Sequence, residues 1–312
     1  MSLIVFTGRR LAQSIPVLIV ITLAAFSVIH LVPGDPARVM LGSRATDEAI
    51  AVLRTQLGLD KPLVTQYLDF LRNALRLDFG ESLFQRAAIG PIVAARAVHS
   101  LALVTYAILI SLVIAVPLAL LSAVRRNLMA DHVVRALSTL AFCMPSFWTA
   151  LLLVLLFSIR LKFFPTSGLG EGLTGYMASL TLPAVSIALY LTPILLRSLR
   201  ASIIQTLTAE FVEAARARGF SEGRVLFKHV LRNSLIAMLT ILGVNVGYLI
   251  SGAVVIENVF SIPGLGSLMV AAIVQRDYPV IVALTLVFGV VVVAANFLVD
   301  VCYAILDPRI RQ

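Results

Sequence analysis

The sequence predicts an all-α membrane protein with several helical spans, and three observations carry that prediction. The chain has 312 residues, 60% hydrophobic and 13% charged, where soluble domains carry about 25% charge. Six apolar runs, at 11–32, 101–124, 136–159, 173–196, 233–256 and 278–299, contain no Asp, Glu, Lys or Arg. Each matches the ~20 residues a helix needs to cross the hydrocarbon core. Charge between the runs is also lopsided, as the positive-inside rule requires.

The first run follows Arg9 and Arg10 as a signal sequence would, but VPGDP follows it in place of a small-residue cleavage site. It reads as a retained span. Six spans put both termini on one face, where the tails and loops hold 14 basic and 6 acidic residues; the opposite face holds 11 and 10. Both termini are therefore expected in the cytoplasm, and the net charge of +9 needs no nucleic-acid partner to explain it.

Taken in order, residues 1–32 form a cytoplasmic tail and the first span, 33–98 an extracytoplasmic helical segment, and 99–312 a five-helix core. In TDEAIAVLRTQLG, Thr46 or Asp47 caps a helix that Gly58 ends. In LDKPLVTQYLDFLRNALRLDFG, Pro62 suits a first turn, and Leu63, Tyr67, Phe70, Leu71 and Leu75 recur at helical spacing. Pro117, Pro145, Pro183 and Pro193 interrupt the core spans, which a bilayer tolerates where neighbouring protein satisfies the freed carbonyls. Gly243, Gly247 and Ser251 lay a groove along the fifth span, for ordinary packing or for a face that slides. VFSIPGLGSL reads as a tight or re-entrant turn, structural or a gate contact.

Chemistry-bearing patterns are sparse. No Walker A, HExxH, GxSxG or paired Cys/His cluster occurs, so no catalytic residue, metal site or cofactor is assigned to the chain. Cys143 and Cys302 fall in or beside spans as lone thiols, and His30 and His229 have no partner at metal-ligand spacing. Asn245, Tyr248, Ser251 and Asn296 are polar at membrane depth, where they either line a pathway or bond between helices. Glu257 and Asp300 fall near the interfaces. A membrane enzyme would need a shared polar constellation, and an ion-driven transporter acidic residues or internal symmetry within its spans; the sequence shows neither.

The exception to the apolar pattern is EFVEAARARGFSEGRVLFKHVLRN (210–233), with eight charges in 24 residues. It reads as a short helix, a turn at Gly219, and a second helix capped by Ser221 that leads into the fifth span. Adjacent Ala214 and Ala215 would leave a low ridge for a partner, oriented by Glu213, Arg216 and Arg218. The alternative is a loop whose charges anchor it at the headgroups.

Here the sequence resembles the permease subunits of binding-protein-dependent ABC importers. Their EAA loop has EAA, three residues and Gly, which Glu213, Ala214, Ala215 and Gly219 match. HVLRN stands where Ile-x-Leu-Pro usually closes the motif, and Ala237 stands where a proline is frequent. VPGDPA (32–37), LGLDKPLVTQYLDFL (57–71), LDFGES (77–82), PSFW (145–148), VFSIPGLGSL (259–268), RDYPVI (276–281) and LDPRIR (306–311) resemble the dipeptide, oligopeptide and nickel branch. The resemblance implies a type I importer permease fold of six transmembrane helices in the inner membrane. It also implies a heterodimer with a second homologous permease, two cytoplasmic ATPases that hold ATP and Mg, and an extracytoplasmic solute-binding protein. The loop at about 197–235, with Glu213, Ala214, Ala215, Arg216, Arg218 and Gly219, would dock on an ATPase. Di- or oligopeptides are the expected solute; nickel, glutathione, opines and saccharide conjugates stay open.

Overall fold

The computed structural model describes residues 3–31, 36–42, 45–56 and 58–306; among them there are helices and turns and no β-strand. Residues 32–35 of VPGDPA, 307–311 of LDPRIR and the side chain of Cys302 lie outside that description. The helices are α1 (Leu3–Leu31), α2 (Pro36–Leu41), α3 (Asp47–Gln56), α4 (Leu63–Leu75), α5 (Ile89–Val124), α6 (Met129–Cys143) and α7 (Ser146–Leu153). After them come α8 (Gly172–Leu207), α9 (Glu210–Ala217), α10 (Glu222–Arg224), α11 (Arg232–Val259), α12 (Leu265–Gln275) and α13 (Tyr278–Leu306).

Five described helices are long and apolar enough to cross a membrane: α1, α5, α8, α13, and α11 together with its lead-in from Glu222. The third apolar run is not a straight rod. It breaks at Met144–Pro145 into α6 and a second helical stretch, Ser146–Arg160, made of α7 and the π-helical Val154–Arg160; the two stretches meet at a 100° bend. Proline disfavours the α conformation at the residue before it, and Met144 sits at φ −84°, ψ 122°, whereas α5 and α8 run on through Pro117, Pro183 and Pro193. Counting the bent pair as one span makes six.

Contacts group the chain into two compact units. The first comprises Met1–Arg10, Leu101–Ile262 and Ala294–Gln312. Its centre is α8, where Leu180, Leu191, Leu195, Leu196, Leu199 and Ile203 are at most 1% exposed. A helix apolar on every side belongs inside a bundle, and α8 packs against α6, α7 and α11. Serines bond across the seam: Ser198 Oγ donates to Ala237 O (3.3 Å) and Ser234 Oγ to Thr206 Oγ1 (3.3 Å). Helix α11 passes Ala237 unbroken, as expected where proline is absent.

Within this unit the small-residue groove is used at one end. A Cβ on Gly243 would come within 2.9 Å of Val299 Cγ1, whereas Gly247 has open space beside it. Gly243 thus lets α13 approach α11 closely. Gly243→Leu should cost about 1–3 kcal/mol through overpacking, read as a lower thermal midpoint in detergent, with Gly247→Leu close to neutral.

The second unit comprises Leu11–Ser100 and Pro263–Val293. Thr46 caps α3 as expected, accepting from Ala49 N (3.3 Å), and Pro62 immediately precedes α4. Its larger cluster packs Ile89 and Val93 of α5 against Leu265, Leu268 and Ala272 of α12 and Val280, Ala283 and Leu284 of α13.

The polar centre of this unit is Asp277, 2% exposed. Its carboxylate accepts from Ser82 Oγ (2.5 Å), Leu83 N (3.4 Å) and Phe84 N (3.3 Å). Ser82 Oγ in turn accepts from Gln85 N (2.9 Å). LDFGES and RDYPVI, far apart in sequence, therefore meet at one buried carboxylate.

Candidate functional site

The charged stretch folds as a short helix, a turn and a re-entering helix. Helix α9 starts at Glu210 with no side-chain cap, but Glu210 and Glu213 lie in its first turn and Arg216 in its last. Acidic residues near the N-terminus and basic ones near the C-terminus both oppose the helix dipole. The stop is a Schellman motif: Phe220 N donates to Ala215 O (3.3 Å) and Gly219 N to Arg216 O (2.9 Å). That motif needs a left-handed residue, and Gly219 supplies it at φ +80° without a Cβ penalty.

Helix α10 begins after Ser221 as the sequence predicts, but no side-chain cap bond forms there. Past α10 the helix widens unexpectedly: Val225–Leu231 is π-helical before α11 resumes the α form. A π-helical segment of the same length, Val154–Arg160, follows α7, so the widening is not peculiar to this site; the sequence carries no proline or glycine within Val225–Leu231 to announce it. Helix α9 packs against this segment. Arg216 spans the turn to Glu222 with two bonds (2.9 and 3.3 Å), while Phe220 stacks on His229 at 5.9 Å.

The two alanines take opposite roles. Val212 is fully buried and Ala215 is 4% exposed, both in the bundle's core cluster. Glu213, Ala214, Arg216 and Arg218 are exposed, as is Phe211 at 45%. The paired-alanine ridge is corrected accordingly: Ala215 seats α9 on its own bundle, and the outward face consists of Phe211, Glu213, Ala214 and Arg218.

Sequence reading missed a buried ion pair at the start of α6. Asp131 is fully buried. Arg200 of α8 grips it with Nε to Oδ1 (2.9 Å) and Nη2 to Oδ2 (2.7 Å). Ser122 Oγ (2.5 Å) and Asn127 N (3.0 Å) also donate to the carboxylate, and Arg200 Nε is shared with Ser122 Oγ (2.9 Å). Three helices, α5, α6 and α8, are thereby locked ten residues before α9 begins. The clue was an arginine on α8 past the apolar run and an aspartate among basic residues, which charge counting treats as headgroup contacts.

The four polar residues at membrane depth divide. Asn245 is buried and donates to Ile241 O of its own helix (2.8 Å). Ser251 donates to Gly247 O (3.1 Å), also within α11, so the bond shown for each lies within its own helix. Tyr248, 66% exposed, shares an outward stripe with Val244 and Ser251; Asn296 is exposed on α13. Glu257, expected near an interface, is 1% exposed.

Comparison with known proteins fits this architecture. Residues 115–312 match the family described as binding-protein-dependent transport system inner membrane component. Residues 3–87 match the N-terminal part of such membrane components. The oligopeptide transport system permease protein AppB of Bacillus subtilis is 36% identical over 309 residues, covering 97% of this chain and 98% of its own length. The glutathione transport system permease protein GsiC of Shigella boydii is 36% identical over 303 residues, covering 97% of each. Among solved structures, a chain of an amino acid ABC transporter crystallised with histidines superposes with a TM-score of 0.53 at 14% identity. The match covers 68% of this chain and 93% of that one, and shows the fold alone. A family model over more than half the sequence, and relatives at this identity over nearly all of it, establish that the chain belongs to the inner membrane components of binding-protein-dependent transport systems.

Proposed function

We propose that this chain is the permease subunit of an ATP-driven importer of short peptides, coupled to a separate ATPase through helix α9. The observation that carries the coupling is the two-sided geometry of α9. Val212 and Ala215 seat it on the bundle, while Phe211, Glu213 and Ala214 stand free for a partner. A push on the outer face is passed through the buried face to the π-helical segment and α11. Docking moves the spans when its contacts differ between inward- and outward-open states, since equal contacts would shift no equilibrium.

ATP and Mg belong to two cytoplasmic ATPases in this reading, and the chain pairs with a second, homologous permease beneath an extracytoplasmic binding protein. Peptide as solute is supported by the relatives' names, since oligopeptides and glutathione share a short amide-linked chain. Placement of both termini on one face is supported by the ion pair of Arg10 with Asp300 (3.2 Å), which joins the near-terminal ends of α1 and α13; the basic excess on that face favours the cytoplasm. Tyr248, Ser251 and Asn296 are the exposed candidates for the pathway; Asn245, turned into the bundle, acts there through packing.

Ala214→Cys should cross-link to the ATPase in the assembled transporter, with a yield that changes on adding nucleotide, while the buried Ala215→Cys should not. Absence of any ATPase adduct at Ala214, with and without nucleotide, would sink the coupling reading. Uptake of labelled peptides by the reconstituted complex, competed by unlabelled di- and tripeptides, tests the solute class separately.

A further inference from the structure

Helix α4 carries an apolar arc wider than the chain covers. One part of the arc is used: Tyr67 packs edge-on to Phe26 at 5.4 Å and its hydroxyl meets Thr22 Oγ1 at 2.9 Å. Phe70 and Ala74 pack with Ala25, Val282 and Leu286. The adjoining part is bare. Val64, Leu68 and Leu75 are 72%, 60% and 81% exposed and, with Leu71, form an i, i+4, i+7, i+11 stripe on one helix face. The remaining side is polar: Gln66, Asp69, Arg72, Asn73 and Arg76 border a cavity of about 590 Å³.

The register of α4 along α1 sets the depth of that stripe. At its start Gln66 Oε1 meets His30 Nε2 (3.1 Å), past the end of the apolar stretch Thr7–Ser27. At its end, Leu71, Ala74 and Leu75 wall a groove with Ile15, Leu18 and Ile19. Ile19 lies eight residues inside Ser27, about 12 Å at 1.5 Å per residue. The groove encloses about 670 Å³ and continues onto Leu286 and Val290 of α13. Among its lining side chains the one polar group is the Thr22 hydroxyl, already bonded to Ile19 O (2.8 Å) and Tyr67 Oη.

We propose that α4 is inserted in the bilayer leaflet beside the C-terminal half of α1, and that the groove holds a phospholipid acyl chain. The bare stripe faces hydrocarbon and the charged side faces the polar cavity, so α4 divides water from lipid. Leaving such side chains in water is unfavourable, and walls built from spanning helices at this depth have lipid tails as their neighbours. This moves α4 from the expected extracytoplasmic helical segment to part of the membrane-embedded wall. It does not depend on the coupling proposed for α9.

The test uses the full chain in phosphatidylethanolamine–phosphatidylglycerol vesicles, with Cys143 and Cys302 changed to serine. Single cysteines then replace Leu68, Leu75, Asp69 or Asn73 and carry a fluorophore; all four positions are partly or fully exposed, so folding is preserved. Lipids with a nitroxide on the acyl chain should quench Leu68→Cys and Leu75→Cys several-fold more than Asp69→Cys and Asn73→Cys, and aqueous iodide should reverse the order. Iodide quenching at Leu68→Cys equal to that at Asp69→Cys would overturn the proposal in favour of a water-exposed helix. Protection of Leu68→Cys from both quenchers would overturn it in favour of a covering protein surface.

Discussion

Asp131→Ala is expected to remove most of the folded protein from the membrane. Breaking a buried pair by deleting one partner strands the other charge, which costs about 3–5 kcal/mol, a large share of the 5–15 kcal/mol that holds a typical domain folded. Arg200 would lose both of its bonds to the carboxylate, and Ser122 and Asn127 would lose their acceptor. Arg200→Ala should behave similarly, since it leaves a fully buried carboxylate without its counter-charge. The informative variant is the double one: Asp131→Leu with Arg200→Met should recover much of the loss, because an apolar replacement of a buried pair is often neutral. Thermal midpoints in detergent and membrane abundance read all three. A single variant as stable as the parent would mean that the pair is solvated in the membrane.

Asp277→Ala should release the loop around Ser82–Phe84. Three donors lose one acceptor, and the one that is buried, the Ser82 hydroxyl, costs about 1–3 kcal/mol when left unsatisfied. Because Asp277 also sits where α12 ends and α13 begins, the loss is local to the second unit. Limited proteolysis of the detergent-solubilised chain should cut within residues 77–88 of the variant and spare the parent. Asp277→Asn keeps an acceptor oxygen and should fall between the two; equal protection of all three proteins would rule out the carboxylate as the anchor.

Much of the fold was legible because its signals are local. An uncharged run of some twenty residues is a statement about solvation, whatever it later touches, and the described residues of the six runs are helical, the third run as a bent pair. Gly219 was readable for the same reason: a glycine after a short charged helix stops it by its own backbone freedom. Thr46 and Pro62 announced α3 and α4 in the same way. The candidate site was half legible, since its helix, turn and exposed charges follow from residues 210–222 alone, but the direction each alanine faces does not.

Sequence by itself determined the membrane class, the apolar runs and the helix–turn–helix at 210–233, because each follows from desolvation or backbone preference within one short segment. Only the tertiary structure decided that Ala215 faces the bundle while Ala214 faces out, that Asp131 binds Arg200 across 69 residues, and that Asp277 anchors Ser82 across 195. It also decided that the third run bends by 100° and that Val225–Leu231 widens into a π-helix. The physical reason is common to all of these. A buried charge or a small side chain acquires its role from whichever distant group packing brings within about 3 Å, and no local periodicity records that choice.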